Sequence, residues 1–463
     1  MTSVDSVDMN KQNEFARLIS MMSDRPKTFC VITYGCQMNA HDGEKIAGIL
    51  SSMDITEAVR EDADLVIVNT CCVRENAERK ALGNVKYLAH RHKDNPRFLL
   101  GVCGCMVQEN KDAGEAKRMF PEADFLIGTH NLHALPEVLY NAIITGGATV
   151  SVSADDRAPI AEGVPAIREN RHKAFVNIMY GCDNFCSYCI VPYVRGRERS
   201  REPGAILREI EGLLETGCKE ITLLGQNVNS YGKNLSQEIS FAKLLHKIDA
   251  LSVPRVRFMT SHPKDLSDEL IEAMSSLQSL CKHIHLPVQS GSDRVLSLMN
   301  RRYTREDYLN KLRRLRAAAS NICVTTDLIV GFPTETEQDF EDTLSLVEEA
   351  DFAAAYTFIY SPRKGTKAAA MDGQIPAEVS SRRIERLIAV QEAHTRAILG
   401  AQIGSVQTVL VDEVSRRSAS HVSGKTEAGI SVSFAGSAEL IGRFVNVQIT
   451  SAGHNTLRGS IAF

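Results

Sequence analysis

The stretch 174-AFVNIMYGCDNFCSYC-189 joins an apolar, strand-like run to three closely spaced cysteines. Five more strand-like runs with helical patterns between them follow it: 219-KEITLLG-225, 255-RVRFMTS-261, 282-KHIHLP-287, 322-ICVTTDLIVG-331 and 354-AAYTFIY-360. This alternation predicts six βα units, two fewer than a closed barrel needs, and a helix at 377–400 ends the series. Barrel active sites lie at the carboxyl ends of the strands, so we expect the three cysteines at that face.

The segments on either side of this series have different patterns. Four apolar runs, each followed by a helical pattern, precede it: 28-TFCVITYG-35, 64-DLVIVNT-70, 97-RFLLGVCG-104 and 123-ADFLIG-128. They predict a parallel sheet of the Rossmann or flavodoxin-like kind, covered by helices. From about residue 401 short alternating strands such as 445-VNVQI-449 predict a small OB-like β-barrel, which either holds RNA or is a structural cap.

These patterns divide the α/β chain into five segments. We expect a tail or short accessory helix at 1–27, a first domain at 28–145, a linker at 146–167, a partial (β/α)6 barrel at 168–400 and the small β-barrel at 401–463. The linker prediction rests on the small and polar run 145-TGGATVSVSADDRAP-159.

Composition limits the classes of function. The chain has 463 residues, 43% of them apolar, and a net charge of −4, so any nucleic-acid contact must come from local basic patches. No apolar run approaches the length of about 18 residues that spans a bilayer. The polar, acidic N-terminus resembles neither a signal nor a transit peptide, so we expect a cytoplasmic protein without a membrane segment.

The twelve cysteines are not expected to form a disulfide framework, because the chain reads as cytosolic. We assign Cys218, Cys281 and Cys323 to the core. Three others, Cys36, Cys71 and Cys105, each follow a predicted strand of the first domain, where a parallel sheet places its ligands. Three convergent thiolates favour an iron–sulfur cluster, whereas three unrelated buried cysteines are the alternative.

The neighbouring Cys72 and Cys103 leave the ligand set open. Adjacent residues of an extended chain point in opposite directions, so only one of Cys71 and Cys72 should face such a site. The pattern alone does not decide between them.

The spacing of Cys182, Cys186 and Cys189 suits three corners of a cubic iron–sulfur cluster and leaves the fourth iron open. An open iron can chelate S-adenosylmethionine and cleave its sulfonium to a 5′-deoxyadenosyl radical. A three-thiolate zinc site is the alternative, although structural zinc sites normally have four protein ligands.

The chain resembles the MiaB-type methylthiotransferases of the radical SAM superfamily from about residue 28 to its end. The motifs that carry the resemblance are 34-YGCQMN-39, 69-NTCCVRENAERK-80, 181-GCDNFCSYCIVPYVRGRERSR-201, 223-LLGQNVNSYG-232, 260-TSHPKD-265, 285-HLPVQSGSDRVLSLMNRRYTRE-306 and 328-LIVGFP-333. By motif match, Cys36, Cys71 and Cys105 hold an auxiliary cluster and Cys182, Cys186 and Cys189 hold the radical SAM cluster, while Cys72 and Cys103 are departures from the family pattern.

The resemblance implies a methylthiotransferase domain, a radical SAM core and an RNA-binding TRAM domain. It implies two 4Fe–4S clusters and two molecules of S-adenosylmethionine per turnover, one as radical source and one as methyl donor. The implied substrate is tRNA with N6-isopentenyl (dimethylallyl) adenosine at position 37, beside the anticodon, which gains a methylthio group at C2. Sulfur-donor and electron-donor proteins are implied as partners, no side chain is implied as acid, base or nucleophile, and we expect a monomer.

Further residues are candidates for cofactor or tRNA contact. Cofactor binding is predicted for Tyr188, Gln226, Asn227, Gln289, Ser290 and Gly331, with loop packing the alternative for Tyr188 and a turn glycine the alternative for Gly331. The run 195-RGRERSR-201 predicts tRNA contact by Arg195, Arg197, Arg199 and Arg201, whereas solvated surface is the other interpretation.

Two other functions fit parts of this pattern. The first is a methylthiotransferase that acts on threonylcarbamoyl adenosine or on a ribosomal-protein aspartate. The second is an RNA-binding protein without catalytic activity that is stabilised by zinc.

Overall fold

The computed structural model describes residues 9–110, 112–319, 321–415, 418 and 420–462. The chain forms two compact units. The first contains the described residues up to Glu169 together with Met179–Asp183 and Cys189–Arg201. The second contains Asn170–Ile178, Asn184–Tyr188 and the chain from Glu202 onward.

The first unit has a six-stranded parallel sheet in the order β2-β1-β3-β4-β5-β6. Its strands are β1 Thr28–Thr33, β2 Thr56–Glu57, β3 Leu65–Thr70, β4 Leu99–Gly104, β5 Phe125–Gly128 and β6 Thr149–Ser151. Its helices are α1 Met9–Met21, α2 Gln37–Ser51, α3 Glu75–Arg91, α4 Cys105–Glu109, α5 Ala113–Met119, α6 Leu135–Thr145 and α7 Val191–Val194.

Strand β3 shows why this sheet is buried on both faces. Its run of apolar residues alternates between two cores: Leu65 and Ile67 pack in one, and Val66 and Val68 pack in the other. A parallel strand covered by helices on both sides requires such a continuous apolar run.

Two further segments of the first unit form regular secondary structure. Residues 9–21, in the predicted tail or accessory helix, form α1, which packs on α6 through Lys11 and Gln12, both bonded to Glu137. The predicted tail residues 1–8 lie outside the described residues. Strand β6 falls inside the predicted linker and extends the sheet, because Thr149–Ser151 pairs with β5.

The second unit contains the six predicted strands of the βα series as two three-stranded parallel sheets, β11-β10-β7 and β12-β13-β14. The strands are β7 Lys173–Asn177, β10 Glu220–Leu224, β11 Arg255–Phe258, β12 His283–His285, β13 Cys323–Val330 and β14 Ala354–Ile359. The pair β8 Met179–Tyr180 and β9 Arg199–Ser200 belongs to the first unit.

The helices of the second unit cover these sheets. They are α8 Pro203–Glu215, α9 Phe241–Asp249, α10 Asp268–Ser276, α11 Asp293–Leu298, α12 Arg305–Ala318, α13 Glu337–Ala350 and α14 Ala377–Gly400. In α8, Pro203 occupies the first turn and the buried residues Ile206, Ile210 and Leu213 recur at helical spacing. The amphipathic period therefore fixes which face of α8 packs inward.

The chain ends in a closed five-stranded barrel, ordered β15-β16-β17-β19-β18. Its strands are β15 Val406–Val414, β16 His421–Lys425, β17 Ser431–Ala435, β18 Phe444–Ala452 and β19 Thr456–Ile461. Arg257 of β11 donates to the Thr426 and Glu427 carbonyl oxygens of this barrel at 2.6 and 2.7 Å. Together, the parallel sheets and this barrel confirm the predicted fold class.

Across the described part of the chain, the helices are all too short or too polar to cross a membrane.

Candidate functional site

Three cysteines of the first unit lie at the carboxyl ends of neighbouring strands. Cys36 precedes α2 as its N-cap, Cys71 directly follows β3, and Cys105 is the first residue after β4. The strands β1, β3 and β4 are adjacent in the sheet. The fold therefore brings together three cysteines that are 35 and 34 residues apart in the chain.

Asn39 links these cysteines. Its Oδ1 atom lies 3.7 Å from the sulfur of Cys36 and 3.9 Å from the sulfur of Cys105. Its Nδ2 atom donates to the carbonyl oxygens of Tyr34 at 2.9 Å and Thr70 at 2.7 Å, which fixes the amide between two strand ends. Asn39 is fully buried, so these bonds also satisfy groups that water does not reach.

Two glycines let the backbone pass close to the cysteines. Gly35 has a φ of 115°, and a Cβ atom there would lie 2.5 Å from Cys71 Cβ and 2.8 Å from Cys71 Sγ. Gly104 has a φ of 97°, and its Cβ would lie 2.5 Å from the Thr70 carbonyl oxygen. A side chain at either position would be both strained and sterically blocked.

A buried ion pair stands beside the site. Arg195, which directly follows α7, donates through Nη2 to Asp42 Oδ2 and to Asn39 Oδ1, each at 2.8 Å. Burial alone would lower the pKa of Arg195, but the Asp42 carboxylate and the Cys105 thiol keep that pKa well above its usual value. The guanidinium therefore remains charged next to the sulfur atoms.

The structure does not support the predicted tRNA contact for two of the four arginines. Arg195 is only 5% exposed and is paired with Asp42, and Arg201 is 6% exposed and is paired with Glu162 at 2.5 Å. A buried, paired guanidinium is not available to a phosphate. Arg199 is half-buried and donates to the Ala158 carbonyl oxygen, whereas Arg197 is the most exposed of the four and pairs with Asp183 at 2.8 Å.

The structure also places the two extra cysteines. Cys103 is fully buried in the core on one face of the sheet, whereas Cys72 packs in the other core together with Cys105. A hydrogen bond between the Cys72 and Cys105 thiols raises the pKa of Cys72 and lowers that of Cys105. Burial, with Cys105 and Cys36 nearby, raises the pKa of Cys71 to about 11. Both Cys71 and Cys72 are therefore near Cys105, whereas Cys103 packs in the core on the opposite face of the sheet.

The loop that carries the second cysteine set is held by many hydrogen bonds. In the first unit the Cys182 amide donates to the Gly196 carbonyl oxygen at 3.1 Å. In the second unit Asn300 Nδ2 donates to the carbonyl oxygens of Asn184 and Phe185, both at 3.0 Å, and Ser187 Oγ donates to that of Leu298 at 2.8 Å. These last bonds fix the backbone on both sides of Cys186.

Several non-glycine residues near the strand ends of the second unit have left-handed backbone conformations. They are Phe185, Thr260, Gln289, Asn300 and Arg302, with φ values of 46°, 69°, 75°, 59° and 58°. Such conformations are unfavourable for side-chain-bearing residues and concentrate at functional sites. These residues lie at the carboxyl ends of β11 and β12 and next to Cys186, which indicates that the functional site of this unit is at this end.

Buried polar atoms at this end have no hydrogen-bond partner within the described residues. They are Asn227 Oδ1 after β10, Ser261 Oγ and His262 Nε2 after β11, and Gln289 Oε1 after β12. Leaving a buried polar atom unpaired costs about 1–3 kcal/mol, so this group of atoms fits a polar ligand that supplies the missing partners. The amino and carboxylate groups of S-adenosylmethionine have that character.

The other predicted cofactor contacts lie in different surroundings. Tyr188 is half-buried, and its hydroxyl accepts a hydrogen bond from Arg301 at 3.4 Å, while Gln226 is half-buried directly after β10. Ser290 is fully buried and bonds Thr343 of α13, and a Cβ atom at Gly331 would lie 2.3 Å from Ser380 Oγ of α14. Ser290 and Gly331 therefore face helices, so these contacts support packing roles for both.

The thiols are not arranged for a single metal ion. Among the described residues, no group of three or more His, Cys, Asp or Glu side chains could hold one. Three thiols at each of two places are a donor set that iron–sulfur clusters take, whereas structural zinc sites normally have four protein ligands.

Sequence reasoning assigned no role to Asn39, Asp42, His262 or Arg301. Asn39 and Arg301 lie inside motifs that carried the family resemblance, at 34-YGCQMN-39 and 285-HLPVQSGSDRVLSLMNRRYTRE-306. Asn39 lies three residues after Cys36, and Arg301 lies within an arginine-rich turn, so their sequence positions could have indicated a role. Their contacts, however, appear only in the folded chain.

Three segments match known protein families. Residues 28–128 match an uncharacterized protein family, UPF0004, residues 176–347 match the radical SAM superfamily, and residues 400–462 match the TRAM domain. Together with the fold and the cysteine sites, these matches define the class: a radical SAM protein that ends in a TRAM domain.

Full-length relatives identify the family within that class. The tRNA-2-methylthio-N(6)-dimethylallyladenosine synthase of Caldicellulosiruptor saccharolyticus is 49% identical over 98% of this chain and 98% of its own length. The enzyme of the same name from Acetivibrio thermocellus is 46% identical over 99% of this chain and 97% of its own. The chain belongs to the family of these synthases, which confirms the resemblance read from the motifs.

Solved structures of lower identity share the fold alone. The radical S-adenosylmethionine methyltransferase TsrM from Kitasatospora setae, with cobalamin and a [4Fe-4S] cluster bound, has a TM-score of 0.56 and 15% identity over 74% of this chain and 73% of its own. The same enzyme with tryptophan and a SAM analog bound has a TM-score of 0.54 and 16% identity over 72% of each chain.

Proposed function

We propose that the protein adds a methylthio group to C2 of N6-(dimethylallyl)adenosine at position 37 of tRNA, next to the anticodon. The observation that carries this proposal is 49% identity to a synthase named for that product over 98% of the chain, with both cysteine sets in place. The protein is therefore a radical SAM tRNA methylthiotransferase.

Two sets of residues would hold the clusters. Cys36, Cys71 and Cys105 would hold an auxiliary 4Fe–4S cluster, and Cys182, Cys186 and Cys189 would hold the radical SAM cluster. When bound, clusters with an open iron supply the one-electron cleavage of S-adenosylmethionine and a place for the transferred sulfur. Cys72 stays a candidate to replace Cys71, because it also approaches Cys105.

The polypeptide contributes fixed geometry around these positions. Asn39 and Arg195 hold the strand ends and a positive charge beside the half-buried Cys36 and the buried Cys105. The 298–300 segment immobilises the backbone on both sides of Cys186. Fixed ligands and exclusion of water favour productive orientation of the reactants over side reactions.

Asn227 and Gln289 are the best-supported contacts to S-adenosylmethionine. Both have a buried oxygen without a partner among the described residues, at the carboxyl ends of β10 and β12. Gln226 and Tyr188 are at the same end of the strands and remain proposed contacts, while the packing of Ser290 and Gly331 gives these two residues less support.

Contact with tRNA is assigned to the C-terminal barrel and to two partly exposed arginines, Arg197 and Arg199. A groove of about 620 Å³ on this barrel is lined by the exposed cations Lys425 and Arg458, beside the acidic Asp412 and Glu413. Exposed cationic side chains of this kind contact the phosphates of nucleic acids. Arg197 and Arg199 stay proposed phosphate contacts. A protein reductant, a sulfur donor, a cytoplasmic location and a monomeric state complete the proposal.

The test is mass spectrometry of tRNA nucleosides from a strain that lacks the gene. The methylthio-dimethylallyl nucleoside should disappear, the dimethylallyl nucleoside should accumulate, and wild-type protein but not Cys105→Ala should restore the product. Loss of a methylthiolated threonylcarbamoyl nucleoside instead would assign the protein to the other methylthiotransferases. An unchanged nucleoside profile would contradict tRNA methylthiolation altogether.

A further inference from the structure

Arg301 is a buried arginine without an acidic partner. It lies between α11 and α12 and is only 4% exposed. Among the described residues, none of the ion pairs joins Arg301 to an aspartate or glutamate, unlike the buried Arg195, which pairs with Asp42. Burying a guanidinium costs several kcal/mol unless an opposite charge offsets it. The surroundings of Arg301 should therefore contain an anion other than a carboxylate.

The hydrogen bonds of Arg301 fix the direction of its guanidinium. Nη2 donates to the Pro287 carbonyl oxygen at 2.6 Å, and Nε donates to the Tyr303 hydroxyl at 2.8 Å. The Tyr303 hydroxyl in turn donates to the Val288 carbonyl oxygen at 2.9 Å. Both anchors therefore attach Arg301 to the backbone at the carboxyl end of β12.

The remaining nitrogen of the guanidinium points at the cysteine loop. Nη1 lies 3.5 Å from Cys186 Sγ and 3.4 Å from the Tyr188 hydroxyl oxygen. A thiolate is the anion that this position offers, and hydrogen bonds from charged donors are stronger than those from neutral ones. Asn300, the preceding residue, holds the backbone of the same loop at Asn184 and Phe185.

We infer that Arg301 is the counter-charge of the cluster held by Cys182, Cys186 and Cys189, and that it raises the reduction potential of this cluster. Arg301 is a positioning residue, since it acts through the Cys186 sulfur and not on the substrate. A cluster that gains one electron becomes more negative, so a nearby positive N–H donor stabilises the reduced form. The inference rests on the proposed function only in requiring a 4Fe–4S cluster at these cysteines.

The test measures the midpoint potential of this cluster alone. Full-length protein with Cys36, Cys71, Cys72 and Cys105 replaced by alanine retains one cysteine set, and its reconstituted cluster is titrated with dithionite and redox mediators and followed by EPR. In this background, Arg301→Gln should shift the potential to more negative values, whereas Arg301→Lys should stay close to the parent because it keeps the charge. Arg302→Met is the matched control, since Arg302 is exposed, and it should leave the potential unchanged.

A second variant leaves Arg301 in place, so its result does not depend on whether the Arg301→Gln protein folds. Tyr303→Phe removes the acceptor of Arg301 Nε but leaves the charge, so it should move the potential in the same direction by a smaller amount. Equal potentials for the parent and Arg301→Gln, with iron bound in both, would overturn the inference, as would equal shifts for Arg301→Gln and Arg301→Lys. A background protein that binds no iron would instead contradict the proposed cluster itself.

Discussion

Cys36, Cys71 and Cys105 come from three strand ends that lie 35 and 34 residues apart in the chain, whereas Cys182, Cys186 and Cys189 occupy one loop of eight residues. The first set depends on the sheet, on Asn39 and on the Arg195–Asp42 pair. In the second set the backbone around Cys186 is bonded by the 298–300 segment and by Ala368, whose amide donates to the Ser187 carbonyl oxygen at 2.8 Å. Substitutions at the first site should therefore lower the unfolding free energy of its unit. Substitutions at the second site should change catalytic activity with little loss of stability.

Removing one cysteine from each set should have the largest effect. Cys186→Ala should abolish cleavage of S-adenosylmethionine, because the radical SAM cluster loses one of its three ligands, while tRNA binding persists. Cys105→Ala should abolish the methylthiolated product but retain cleavage of S-adenosylmethionine. Chromatographic assays of 5′-deoxyadenosine and of the modified nucleoside separate the two losses.

The control for these variants is Cys218→Ala, a buried cysteine outside both sets. It should retain both activities. If Cys186→Ala still released 5′-deoxyadenosine, the division of labour between the two sites would be wrong.

A glycine next to the first site should produce the next largest effect. Gly35→Ala should lower the free energy of unfolding of the first unit by about 3 kcal/mol, because the new Cβ would be strained and would overlap with Cys71. The matched control is Gly83→Ala, where an added Cβ on the exposed face of α3 meets nothing within 4 Å. That change should stabilise the protein by about 0.5–1 kcal/mol. Urea denaturation followed by circular dichroism measures both, and equal effects would argue against the tight packing at Gly35.

Asn39 supports the first cysteine set and Asn300 supports the loop of the second, so substitutions of these two asparagines compare the two sites. Asn39→Ala should lower the unfolding free energy by about 2 kcal/mol, since it removes the side-chain donor to the buried Thr70 carbonyl and one of the two hydrogen bonds of Arg195 Nη2. Asn300→Gly keeps the left-handed backbone and removes two loop hydrogen bonds and a long one from Arg302 Nε, so it should cost about 1 kcal/mol or less. The same denaturation experiment gives both values, and a larger loss for Asn300→Gly would reverse the comparison.

The smallest expected effect concerns tRNA contact by the C-terminal barrel. Arg458→Gln should weaken tRNA binding a few-fold and reduce the salt dependence of log Kd by about one phosphate contact. Filter binding across a salt series measures both quantities. An unchanged salt slope would place the tRNA outside the groove.

The fold could be predicted from the sequence where its strands are long and apolar. The runs at 64–70 and 322–331 correspond to β3 and β13, whereas the short strands β2 and β6 contain only two and three residues and have no readable pattern. The positions of Cys36, Cys71 and Cys105 also followed from the rule that parallel strands end at one edge.

The partners of individual side chains could not be predicted from the sequence in the same way. The run 195–201 shows four arginines, but only the folded chain reveals that Arg195 and Arg201 point inward to Asp42 and Glu162. Arg301 and Cys186 are 115 residues apart, and no periodicity relates them. Local patterns predict elements and strand ends, whereas burial and pairing depend on tertiary contacts.

The most direct test of the account is iron analysis of protein reconstituted without oxygen. Two clusters predict about eight irons per wild-type chain, and about four in each variant that has either complete cysteine set replaced by alanine. A wild-type value of four, or a variant that retains all its iron, would contradict the presence of two separate clusters.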